Sequence, residues 1–269
     1  VHSRAHMVDW LMNMHWIPLM ILIVGAFAVF GFLGFGLTRR YVMPGLGASR
    51  HQAEVTATIV HGILIIYGLA VALLAIAVWE KYAEATRIVA EEASSIAALY
   101  RDLAGYPEPL RTHLRNELKS YTEYTIRDAW PMQRRGQIPA AGVGMLDRFQ
   151  DALYAYEPAT LGKLAHHQEA LGAYNTMIQI RRERLHFVTI GLPASMWAVV
   201  LVGALITVAS AFFLDVGEGG KLNRLLMVLL SAIMGLLIFM IVYYDQPMRG
   251  DQSVSPEAYE VIHKQLMEH

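Results

Sequence analysis

VTATIVHGILIIYGLAVALLAIAVW, residues Val55–Trp79, decides the architecture. It holds no Asp, Glu, Lys or Arg. It is long enough for a helix to cross a hydrocarbon core of roughly 30 Å. Three further stretches share both properties: Ile17–Leu37, Phe187–Leu214 and Leu225–Tyr244. A chain with four such stretches reads as a polytopic membrane protein. Ion-coupled pumps keep ionisable groups at membrane depth to carry protons or ions. Here the candidate inside a span is His61. The pattern therefore disfavours a coupled transporter and favours an apolar pore or a membrane scaffold.

The composition bounds the rest. The chain has 269 residues, 55% of them hydrophobic, and a formal net charge of −1. Its mean hydropathy is +0.36, which fits a membrane protein with a substantial polar part. Near-neutral charge implies no overall pull toward nucleic acid or anionic lipid. There is no cysteine, which excludes disulfides, thiolate metal sites and cysteine nucleophiles. The first span is followed by Thr38-Arg39-Arg40 rather than by small residues, which argues against a cleaved signal peptide. Residues Val1–His6 carry no functional signal, and His2, His6 and His15 are spaced too loosely for a metal site.

Working outward, the spans form two hairpins separated by a polar region. The expected segments are 1–16, a first transmembrane hairpin 17–79, a helical extramembrane domain 80–186, a second hairpin 187–244 and a tail 245–269. From Leu69 to Ala104 there is neither Gly nor Pro. Ala, Glu, Leu and Arg, all strong helix formers, dominate its polar half. The second span is thus expected to continue as one helix from Val55 to about Ala104. Its breaker-free part alone would measure about 54 Å. Gly105-Tyr106-Pro107 ends it. Tyr82, Val89, Ile96 and Leu103 recur every seven residues, the stripe of a helix packed on one face. Ala83, Ala90 and Ala97 make a second seam, open to packing within the subunit or between subunits.

Three more helices are expected. One runs from Pro107 or Pro109 to Trp130, where Pro131 ends it. A Gly- and Pro-containing loop follows, then a helix from Met145 to Tyr156. The last starts near Thr160 and continues into the third span, where Pro193 kinks it. No strand pattern appears, so the fold class is all-α, with four transmembrane helices and the helical domain between the second and third spans. Charges in the short loops, Arg181-Arg182-Glu183-Arg184 above all, place that domain and both termini in the cytoplasm, although Arg39-Arg40 argues the other way.

No catalytic constellation is visible, so an enzyme is not expected and no cofactor or metal is implied. Gly142-Val143-Gly144 lacks the strand-to-helix context of a phosphate loop. His166 and Glu169 share a helix face, but the matching Glu and Glu-x-x-His pairs of a di-metal bundle are missing. His61 reads either as an imidazole bonded to a neighbouring helix or as a polar, pore-facing position.

Three segments carry a resemblance. The first is Trp79-Glu80-Lys81-Tyr82-Ala83-Glu84, with Glu91-Glu92-Ala93 after it. The second is Arg181-Arg182-Glu183-Arg184, with Pro193 and Trp197 following. The third is Asp245-Gln246-Pro247-Met248-Arg249-Gly250. Together they resemble the bestrophin-like family of membrane proteins, with Met248 standing where an aromatic residue is expected. The resemblance implies a homo-oligomer, a pentamer by that resemblance alone, set in the bacterial inner membrane around a pore for small ions. It also implies an apolar neck on the second span, with Ile59, His61, Ile63, Ile66 and Tyr67 as its candidates. Glu80, Glu84, Arg182, Arg184, Asp245, Pro247, Arg249 and Gly250 are then the structural residues of the motifs. The alternative reading is a non-conducting scaffold or signalling protein whose helical domain binds partner proteins.

Overall fold

The computed structural model describes residues 15–46, 50–214 and 220–268, and among them there is no strand. Helix α1 spans Trp16–Leu37, with His15 accepting a capping hydrogen bond from the Ile17 N–H. A π-helical turn over Thr38–Val42 and a short α2, Met43–Leu46, follow. Helix α3 runs unbroken from Arg50 to Asp102 and tightens into a 3₁₀ turn over Leu103–Gly105. The long helix is present because nothing in it removes a backbone donor, and Pro107 stops it.

The membrane unit comprises α1, α3 as far as Lys81, α8 (Ala194–Ala211) and α9 (Gly220–Tyr244). Among the described residues four helices are long and apolar enough to cross a membrane, with α3 supplying the second. Small residues set the packing. A Cβ on Gly235 would lie 2.9 Å from the Val24 Cα, so α1 and α9 touch backbone to backbone there. Gly34 lies beneath the Phe212 ring, which packs against Phe30 at 5.7 Å.

The third span is shorter than the sequence suggested. Helix α7, Leu161–His186, ends at Phe187, and α8 starts only after Pro193 at its N-cap. The expected kinked continuation is therefore a full break. Proline pushes the residue before it out of the helical region and suits a helix start better than an interior.

The helical unit comprises residues 82–190 and 246–268. Helix α4 spans Leu110–Tyr124, and a π-turn over Thr125–Ala129 links it to α5, Trp130–Arg134. Pro131 does not end the helix as expected. It sits in the first turn of α5, where a missing N–H costs nothing. Helix α6, Ala141–Tyr154, starts four residues earlier than expected, and Gly142 is buried where a Cβ would come within 3.2 Å of the Tyr124 ring. Thr160 caps α7 by accepting from the Lys163 N–H. The tail forms α10, Glu257–Ile262, and a π-turn over His263–Met267. Of the expected stripe, Val89, Ile96 and Leu103 are buried with Leu114, Leu118, Phe149, Leu153 and Met177 in one core, and Tyr82 packs against it partly buried. Met248, at the position expected to be aromatic, is buried in that core too.

Candidate functional site

Two places gather the residues that the sequence singled out. The first is the outer face of α3 in the membrane unit. On a helix each residue turns about 100°. Val60, Val71, Ala75 and Val78 share one side and are buried against the rest of the unit. Ile59 and Ile66, seven apart and so nearly superposed, lie on the other side and are 58% and 73% exposed. Leu69, Leu73 and Ile76 extend this exposed arc, and none of the three stood out in the sequence. Ile63 is half-buried at its margin, and His61 is exposed on the opposite margin.

Tyr67 belongs elsewhere. Its hydroxyl donates to the Val200 carbonyl of α8 at 2.5 Å, and its ring covers Gly203 so closely that a Cβ would come within 2.4 Å. A single sequence gives no signal for that pairing, because the glycine makes room for a side chain 136 positions away. The five candidates thus divide: Ile59 and Ile66 on the exposed arc, Ile63 and His61 at its margins, and Tyr67 turned into the unit.

The second place is a buried polar knot in the helical unit. Arg184 and Glu92 are 2% and 0% exposed. The Arg184 Nε donates to Glu92 Oε2 at 2.6 Å, its Nη2 to Glu92 Oε1 at 3.4 Å, and its Nη1 to Gln133 Oε1 at 2.5 Å. Its guanidinium lies 5.2 Å from the Trp130 ring centroid and 5.7 Å from that of Tyr259. Tyr121 donates to Glu92 Oε1 at 3.2 Å and accepts from Arg181 Nε at 3.1 Å. Burial, reinforced by the Glu92 charge, pushes the Tyr121 hydroxyl up to about 12, and burial holds Tyr259 well above its usual range. Four helical segments and the tail therefore meet on one ion pair. The sequence pointed to Arg184 and to Glu91-Glu92 separately, but not to their union.

The other motif residues act on backbone geometry. Asp245, 4% exposed, accepts the Leu192 N–H at 2.6 Å and so closes the break before α8. Burial raises its carboxyl above the usual range, and that N–H, Lys81 and Trp197 oppose the rise. Lys81 Nζ donates to the Asp245 carbonyl at 3.5 Å. Gly250 has φ +73°, a conformation that favours glycine, and its N–H donates to the Arg134 carbonyl at 2.9 Å. The Pro247 carbonyl accepts from the Val254 N–H at 2.8 Å, and Arg249 Nη1 donates to Gln246 at 3.1 Å. Glu84 pairs with Arg87, while Glu80 and Arg182 are exposed.

His166 and Glu169 both lie close enough to Asp102 to influence its carboxyl. Among the described residues no group of three or more His, Asp or Glu is placed to hold a metal. The neighbouring His167 is buried instead, its Nδ1 2.7 Å from the Tyr106 hydroxyl. His2 and His6 lie outside the described residues.

A model of the bestrophin-like domain matches residues 25–259. The chain belongs to the bestrophin-like family. Solved structures agree on the fold. A point variant of a bacterial bestrophin homolog from Klebsiella pneumoniae superposes with a TM-score of 0.68 at 9% identity, covering 93% of this chain and 98% of that one. A second variant gives 0.67 at 12% identity, over 92% and 97%. A structure described as a membrane protein gives 0.70 at 10% identity, over 93% and 97%. No functionally curated protein matches the chain significantly. At such identities the likeness carries the fold, and the bestrophin-like family membership rests on the domain match.

Proposed function

We propose that this protein assembles with copies of itself into a membrane pore for small ions, lined at its neck by the exposed arc of α3. His61 carries the reading. It lies about two turns inside a candidate membrane helix and points outward from its own subunit. An imidazole facing hydrocarbon is costly, and polar groups at membrane depth face a bundle interior or a water-filled cavity. Another copy, or water held between copies, supplies that environment.

With His61 at one margin of the arc, Ile59 and Ile66 fall toward the other, so one flank contacts a neighbour while the aliphatic flank faces the axis. Closely spaced aliphatic walls exclude ions by expelling water. A ring of copies is implied by this arrangement, and a pentamer by resemblance. The basic run Arg181–Arg184 favours a cytoplasmic helical unit and a bacterial inner membrane.

The test measures ion flux through purified protein in liposomes, with thermal stability on the same preparations. Ile66→Ala and Ile59→Ala should each raise flux by wetting the neck. Their stability should barely change, because both side chains are exposed in the subunit. An Ile→Ala change at a packed site would instead cost roughly 2–5 kcal/mol. Flux equal to empty liposomes for the parent and both variants sinks the pore and leaves the scaffold reading.

A further inference from the structure

Where the C-terminal end of α1 meets the start of α9, an open cavity of about 700 Å³ is lined by Arg39, Arg40 and Arg224 together with Phe32, Leu33 and Leu37. Among the described residues that line it, three carry positive charge and none negative. Each guanidinium stands over a ring: Arg39 is 5.3 Å from the Phe35 centroid, Arg224 is 5.1 Å from Phe32, and Arg40 is 5.5 Å from Tyr41. Stacking engages the flat face of a guanidinium, whereas phosphate recognition uses its N–H edge, so one arginine can do both. The apolar half of the lining distinguishes a lipid from a free anion. Phe32, Leu33 and Leu37 are all exposed large apolar groups on α1. They would meet acyl chains while the arginines meet the headgroup.

We propose that this cavity binds the phosphate headgroup of an anionic phospholipid at the membrane interface. Basic pockets between membrane helices recognise such headgroups by this combination of charge and flanking apolar surface. The proposal requires only that α1 and α9 cross the membrane, so it stands or falls separately from ion conduction.

The test uses the full chain in detergent micelles doped with phosphatidylglycerol or phosphatidylcholine, and separately with inorganic phosphate. A ligand that binds only the folded state raises its unfolding midpoint. Phosphatidylglycerol should raise the midpoint by about 2–4 °C beyond phosphatidylcholine. R39Q–R224Q should lose that increment while keeping its midpoint in phosphatidylcholine, and R127Q, on the helical unit, should retain it. If the double variant does not fold, R224Q alone decides, because Arg224 is exposed and its removal empties no core. Equal stabilisation by the two lipids overturns the proposal. An increment that survives R224Q also overturns it. Inorganic phosphate matching phosphatidylglycerol overturns the lipid assignment.

Discussion

One helix passes through two environments and reverses its logic. Between Val55 and Trp79, α3 exposes its large aliphatic residues, among them Ile59, Ile66, Leu69 and Leu73, and buries Val60, Val71, Ala75 and Val78. Between Tyr82 and Leu103 it buries Ile88, Val89, Ile96, Leu99 and Leu103, and exposes Ala83, Glu84, Arg87 and Ala90. In water the larger apolar side chains go inward because burial removes them from solvent. In lipid that drive vanishes, and small residues gather where helices must approach. The contrast says that the helical unit is held by a packed core with a polar knot, and the membrane unit by close backbone contact.

The largest expected effect tests the knot. Removing one partner of a buried ion pair leaves an uncompensated charge and costs about 3–5 kcal/mol. Arg184→Met, or Glu92→Leu, should lower stability by that amount in chemical unfolding of the detergent-solubilised protein. The double variant E92L–R184M should recover much of the loss, because a charge-free replacement removes the desolvation cost on both sides. It will not recover all of it, since Gln133 and Tyr121 lose their partners. A single variant as stable as the parent would show that the helical unit relies on its apolar core alone.

The next effect breaks or sharpens the other half of the comparison. Gly235→Ala puts a methyl 2.9 Å from the Val24 backbone, which cannot swing aside as a side chain can. Such overpacking costs about 1–3 kcal/mol. Gly25, on α1, has nothing within 4 Å of the same methyl, and G25A should be neutral or slightly stabilising. Thermal midpoints of the two variants in one detergent decide it. Equal behaviour would mean that α1 and α9 are not fixed by close approach.

Why so much of the fold was legible follows from the same physics. Four uncharged stretches and a long breaker-free run are local signals, and local signals fixed the spans and the continuous α3. The errors fell at prolines. Pro131 and Pro193 each have two outcomes, a stop or a fresh start, and the choice depends on a π-turn at Thr125–Ala129 and on Asp245 taking the Leu192 N–H. The latter partner is 53 positions away. Tyr67, an expected neck candidate, turns away from Ile66 for the same reason: adjacency in sequence puts the two about 100° apart, and the bond to α8 decides which way the tyrosine turns. The Glu92–Arg184 union spans 92 positions and has no periodic signature.

The smallest effect is a pH dependence that belongs to the helical unit. His167 is 7% exposed, with Nδ1 2.7 Å from the Tyr106 hydroxyl and Tyr156 ring-to-ring at 5.4 Å. Burial lowers its pKa, and the adjacent His166 adds to the lowering. A depressed histidine pKa means that the unfolded chain binds a proton more readily than the folded one. By linkage, stability is full above the unfolded value of about 6.5 and falls as pH drops below it. Asp102 and Glu169 also face this corner, and burial, with Glu169 beside it, raises the Asp102 carboxyl. That shift has the opposite sign, favouring the folded state in acid, so the net slope should be shallow. His167→Gln keeps a neutral acceptor for Tyr106 and removes the titration. Between pH 7.5 and 5.5 the parent should lose stability where H167Q does not, as followed by thermal midpoints in matched buffers. Parallel curves for parent and variant would show that water reaches the imidazole and that this corner of the domain is less closed than its core.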